Sequence, residues 1–122
     1  MQLKFPHLPV LATPYLIFAL GVVLNIIAIS ANSGYMPVAQ SAILGGYVPA
    51  GTVIDEVHRV MQNSDHLKVL CDWIQVPRQC VASPGDLCLW AGEWLMGPSF
   101  VAWLTMIWRD VNQEAEKVRG RL

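Results

Sequence analysis

Residues 83–109 read SPGDLCLWAGEWLMGPSFVAWLTMIWR. A serine, then a proline, then an acid three positions after the serine is a helix-start signature. Ser83 caps, Pro84 fills a first-turn position that needs no N–H, and Asp86 offers its carboxylate to the freed amides. The residues after Asp86 are mostly apolar, and 87–108 are long enough to cross a bilayer with some tilt. Trp90 and Trp94 toward one end and Trp103 and Trp108 toward the other have the distribution of two interfacial belts. Gly97-Pro98 predicts a kink. The stretch carries two acids. Asp86, at the mouth, is read as architecture, a carboxylate that stabilises its own helix start. Glu93 lies inside, where an ionisable side chain is costly and by default faces protein or water. It is either a protonated or snorkelling acid near the interface, or a contact to another subunit, a cation or a proton path.

A second candidate span precedes it. Residues 15–31, YLIFALGVVLNIIAISA, contain no charge, and with residues 10–14 in front they reach roughly the 20 apolar residues that a bilayer core requires. The helix is apolar on all faces, which argues against a soluble core helix. The run is also long for the apolar part of a cleaved signal peptide, so a retained helix is expected. Gly21, Asn25, Ala28 and Asn32 recur at spacings of four, three and four and form one stripe of small and amide side chains, the means by which membrane helices pair. The plainer alternative for Asn25 is a bond back to its own helix. Counted from the outer face, Asn32 shares a depth with Asp86, and Asn25 shares a depth with Glu93, about 10 Å further in. The expected pairs are therefore Asn25 with Glu93 and Asn32 with the region of Asp86.

Composition agrees with a membrane protein. The chain has 122 residues, of which 54% are hydrophobic and only 14% charged, well under the roughly one-quarter usual for soluble domains. A net charge of −1 offers no basic footprint for nucleic acid. The basic residues Lys4, Arg109, Lys117, Arg119 and Arg121 flank the spans, against Arg59, Lys68 and Arg78 between them, so the positive-inside rule favours cytoplasmic termini.

Between the spans, Asn32-Ser33-Gly34 ends the first helix with Gly34 in a left-handed cap, and Met36-Pro37 prevents continuation. Thr52 N-caps an expected amphipathic helix ending near Asn63-Ser64, with Val53, Val57, Val60 and Met61 on one face. A further short helical piece is expected around Leu67, Leu70, Trp73 and Ile74. Cys71 and Cys80 are either a disulfide in an oxidising compartment or two free thiols. Cys88 is expected to be simply buried. His58 and His66, with Asp55, Glu56, Asp65 and Asp72 near them in sequence, match no metal-ligand spacing, and no metal or cofactor is expected. No nucleophile, zinc-protease or phosphate-loop motif occurs, and no catalytic residue is assigned.

The runs GVVLNIIAISANSGYMPV, LCDWIQVP and SPGDLCLWAG together resemble an uncharacterised family of small bacterial integral membrane proteins, a domain of unknown function. In that family an asparagine-bearing helix runs into an N-G-G-x-M-P-V-like turn, followed by L-G-D-x-I-P-like and S-x-G-D motifs. The resemblance covers roughly residues 21–95 and touches Asn25, Asn32, Gly34, Met36, Pro37, Leu70, Asp72, Ile74, Pro77, Ser83, Gly85 and Asp86. Cys71 stands where glycine is usual, and family members are longer at the N-terminus, with additional helices. The resemblance implies that these motifs fold together and supplies no activity.

The expected fold is an all-α membrane protein, a single unit of two transmembrane helices in a hairpin. The first spans residues 10–31 and the second 86–108. A partly helical extracytoplasmic cap at 32–85 joins them, and a cytoplasmic tail occupies 109–122. The expected function is that of a non-enzymatic accessory subunit of a larger bacterial plasma-membrane complex, photosynthetic and respiratory assemblies included. The alternative is a homo-oligomeric pore or transport element using Glu93. A third is a membrane-bound enzyme with Asp72, Asp86 and His66 at the outer face. Lipid and a protein complex, or further copies of the chain, are the expected partners.

Overall fold

A computed structural model describes residues 7–77 and 80–121, so Lys4 and Arg78, both used in the charge count, lie outside it. Two helices dominate. The first, α1, runs Leu8–Ala31. The second, α2, runs Pro84–Arg119 as one helix despite Pro98. They pack antiparallel: Gly21 meets Gly85 and Leu89, and Gly92 meets Phe18 and Pro14. At the far end His7 Nε2 lies 2.9 Å from Asp110 Oδ2. Helix α1 begins two residues before the expected boundary, because Pro9 is accommodated in the first turn, where its missing N–H costs nothing. Helix α2 continues well beyond residue 108 as an exposed polar rod, with basic Lys117 and Arg119 in its last turn, where they complement the dipole.

The seam between the helices consists of small residues two turns apart. Pro14, Gly21 and Ala28 are the buried positions of α1, and Gly85 and Gly92 those of α2. A spacing of seven keeps a stripe facing one partner in a left-handed helix pair. The rest of α1 stays uncovered: Leu16, Leu20, Val23 and Ile26 are at least half exposed. By length and composition α1 is the one helix among the described residues apolar enough to cross a membrane.

The connecting segment differs from expectation. It contains short strands, not an amphipathic helix. Strand β1 (Met36–Val38) pairs in parallel with β2 (His58–Val60), and β3 (Ile74–Val76) pairs antiparallel with β4 (Cys80–Ala82). Single 3₁₀ turns occupy Gln40–Ala42 and Lys68–Leu70, the latter being all that forms of the second expected helical piece. The expected helix at 52–64 fails for local reasons. The Asp55 carboxylate accepts from the N–H groups of Val57 and His58, both at 2.8 Å, folding the chain back on itself, which is how Asp competes with helical bonding. Thr52 does not cap; its hydroxyl donates to Pro49 O. The β-branched Val53, Val57 and Val60 then favour extended backbone.

Strand β1 is the centre of this cap. On one side it holds β2, and on the other Asp72, whose N–H donates to Pro37 O at 3.0 Å and whose carbonyl accepts from Ala39 N–H at 2.8 Å. The cap is fixed to the end of α1 by a cluster of Ala28, Met36 and Cys71, flanked by Ile29, Met61 and Leu70. Helix α1 ends in a left-handed turn at Ser33 and Gly34, where Gly34 N–H returns to Ile29 O at 3.0 Å.

A Cβ added at Gly21 would stand 2.6 Å from Gly85 O and 2.8 Å from Leu89 N, backbone atoms that only a separation of the helices can move. Gly21→Val should therefore destabilise the helix pair by about 1–3 kcal/mol, read as a lowered thermal midpoint in detergent. The same change at Gly97, where a Cβ would meet nothing, should cost only the fraction of a kcal/mol expected at a surface position.

Candidate functional site

Where α2 begins, three side chains close a ring. Ser83 Oγ accepts from Asp86 N–H at 3.1 Å, and Asp86 Oδ2 accepts from Ser83 N–H at 3.0 Å, a reciprocal capping box. Asn25 joins that box to α1. Its Nδ2 donates to Asp86 Oδ1 at 2.8 Å, and its Oδ1 accepts from Ser83 Oγ at 2.8 Å. Both Asp86 oxygens are thereby engaged, and the orientation of the Asn25 amide is fixed by its two partners.

The expected pairing of Asn25 with Glu93 is thus corrected. Asn25 meets Asp86, one heptad from Glu93, and Glu93 is exposed beside the buried Gly92. The slip arises because α1 rises further than α2. Its last turns, including Ala28, are enclosed by the cap, and Asn32 bonds there instead of at the mouth of α2. Asn32 Nδ2 donates to Ala28 O at 2.8 Å and to His66 O at 2.9 Å, while its Oδ1 accepts from His66 N–H at 2.9 Å. The amide pairs with a peptide group as a neighbouring strand would. Gly21, Asn25, Ala28 and Asn32 all face the α2–cap side of α1, each partly or fully buried.

Cys71 and Cys80 are not bonded: Cys71 is buried and Cys80 exposed. Burial, reinforced by the nearby Asp65 and Asp72 charges, pushes the Cys71 thiol up to about 11. It therefore keeps its proton, donating to Leu67 O at 3.4 Å. Cys88 is half-buried.

Within the cap lie two very different acids. The Asp65 side chain is buried, which alone would raise its carboxyl. The Arg59 guanidinium, bonding it through both terminal nitrogens, and Gln62 N–H at 2.7 Å more than offset this and hold it below the usual range. Arg59 also lies over the Tyr35 ring, 6.0 Å from its centre. Asp72 has no such support. It is 4% exposed, its Oδ1 is buried with no hydrogen-bond partner, and its Oδ2 stands 3.5 Å from His58 Nε2, beyond a well-formed bond. The other face of His58 is held by Asp55, with Nδ1 2.8 Å from Oδ2. Burial, with the Asp86 charge next in weight, pushes the Asp72 carboxyl up from 3.8 to about 6.

Asp72 and His58 border a cavity of about 390 Å³, walled by Val38, Ala42, Ile43, Leu44, Ile54 and Val81. That volume lies in the range of small-molecule sites, which are typically apolar with a few placed polar groups. His66, grouped with Asp72 in the sequence, is not part of it; its peptide serves Asn32. No group of three or more His, Cys, Asp or Glu suited to a metal ion occurs among the described residues. Sequence reasoning missed the cavity because its members come from four separate segments. The one available signal was an Asp in a run of otherwise apolar residues, Leu70 to Ile74.

Two outcomes are expected. Asn25→Leu leaves Asp86 Oδ1 and Ser83 Oγ without their partner and should cost about 1–3 kcal/mol, measured by thermal unfolding in detergent. Between pH 4 and 6 the folded state holds the Asp72 proton that the unfolded chain has released. Its stability should therefore fall as pH rises through that window. Asp72→Asn should raise the thermal midpoint at pH 7.5 and lose that advantage by about pH 4, so the two unfolding curves converge in acid.

The model of a family of unknown function (DUF5317) matches residues 11–96. Comparison with curated proteins and with solved structures found no match.

Proposed function

The chain belongs to the DUF5317 family, and we propose that it is a two-span membrane hairpin acting as a non-enzymatic accessory subunit of a larger membrane complex. The second span is argued from the pairing of the helices. Helix α2 lies against α1 from Gly85, which meets Gly21, through Gly92, which meets Phe18 and Pro14, so a bilayer crossed by α1 also encloses the part of α2 packed on it. The described ends, His7 and Arg121, lie on one side, with Arg109, Lys117, Arg119 and Arg121 beyond the span. The positive-inside rule assigns that side to the cytoplasm and the strand-built cap to the exterior of a bacterial plasma membrane.

The observation that carries the subunit reading is the position of Glu93. It points away from the α1–α2 seam, about 10 Å below the start of α2, next to Trp94, which is 83% exposed. No hydrogen bond or ion pair holds it among the described residues. A carboxyl facing lipid at that depth costs several kcal/mol, and the face it occupies is flanked by tryptophan and by Gly97, whose surroundings are open. A small residue and an acid four apart on an uncovered helix face suit a third helix packed there. That helix belongs to a different protein in the favoured reading and to a second copy of this chain in the pore reading.

Mass measurement after extraction in mild detergent tests this. The chain should migrate with a larger heteromeric complex, and Glu93→Leu should release it while leaving helicity and thermal midpoint nearly unchanged. A discrete homo-oligomer with Glu93-dependent ion flux would establish the pore instead. A monomer indifferent to Glu93→Leu would overturn both.

A further inference from the structure

The cavity in the cap combines a buried acid lacking donors with apolar walls. Asp72 contributes one oxygen with no hydrogen-bond partner and another with only a 3.5 Å contact to His58. Buried polar groups without partners are rare, and each asks for an explanation. Removing a carboxylate from water is costly unless it is paired and hydrogen-bonded. The backbone of Asp72 is locked against Pro37 and Ala39, and its side chain borders the cavity.

The charges around it define the chemistry. Asp86 and Asp55 add negative potential at Asp72, and His58 alone opposes them. Among the described residues, no lysine or arginine lines the cavity. The site therefore favours a cation that donates hydrogen bonds. A metal ion would need more ligands than this pair supplies. Val38, Ala42, Ile43, Leu44, Ile54 and Val81 present only apolar side chains, which a hydrated inorganic ion would not use and a short alkyl body would.

We propose that the cap binds a small primary amine, its ammonium donating to Asp72 and its apolar body filling the space beneath Leu44 and Ile54. The same ammonium could arrive as the head of an aminophospholipid. The attached phosphate would then enter a site whose described lining offers it no lysine or arginine, which favours the free amine. The inference is independent of the subunit reading, since it concerns the cap and not the lipid-level face.

Calorimetric titration of the full chain in neutral detergent micelles, corrected for empty micelles, tests it with n-butylammonium chloride as probe. Saturable binding of one amine per chain is expected, unmatched by sodium chloride or n-butanol. Asp72→Asn, which the unpaired acid predicts to fold at least as well as the parent, should weaken binding at least about tenfold, the loss of one charge-assisted hydrogen bond. Leu44→Lys, at a half-exposed rim position, places a tethered ammonium in the cavity and should abolish binding without removing Asp72. Equal affinity in both variants, equal binding of n-butanol, or no saturable binding would overturn the proposal. O-phosphoethanolamine binding more tightly than n-butylammonium would overturn the choice of a free amine over a lipid headgroup.

Discussion

The ring of Asn25, Ser83 and Asp86 is the constraint from which the rest of the molecule takes its register. Each side chain has local work to do: Ser83 and Asp86 satisfy the orphaned amides of α2, and Asn25 satisfies itself at an interface poor in water. Because Ser83 Oγ serves both tasks and the two Asp86 oxygens serve one each, the ring holds α1 at one height beside the start of α2. The glycines allow that height. Gly85 is packed so closely beneath the Asn25 amide that a side chain there would occupy its place, and Gly21 lets the backbones touch. Hydrogen bonds set the register and small residues make it sterically possible.

From this fixed point the two ends of the hairpin diverge in character. Toward the cap, α1 outruns α2 and spends its last turns inside a small strand-built structure, where Asn32 acts as a surrogate peptide for His66. Toward the other end, α2 outruns α1 and stands alone as a charged helix. The cap itself holds a well-partnered acid, Asp65 with Arg59, and a poorly partnered one, Asp72, both in the short stretch between β2 and β3. Their contrast lies in their partners. An acid held by a bidentate guanidinium is a fastener, whereas a buried acid facing a cavity is a cost that the fold bears at a site.

How much of this the sequence discloses depends on the range of the interactions. The start of α2 is legible in four consecutive residues, Ser83 to Asp86, because capping is local. The unbroken apolarity of α1 and the glycine–amide stripe are legible because helical period maps neighbours onto one face. The strands are not: each is three residues long, and nothing in the spacing places Met36 beside His58. The partner of Asn25 lies one heptad from the expected one because helices of unequal height share no common depth scale until the cap is known. The cavity required Asp72 and His58 to be neighbours, and nothing in their spacing announces it.

Helix α2 also has a mechanical property that stems from Gly97-Pro98. Proline leaves the Trp94 carbonyl without its helical donor, and Gly97 has no neighbouring side chain to brace it. The 36 residues of α2 thus behave as two stiff segments in series with one compliant joint. The upper segment is anchored by the Asn25 ring, and the lower is tethered near its middle by His7 and Asp110. A bend in α2 is therefore easiest at residues 94–98, between the Asn25 ring and the His7–Asp110 contact.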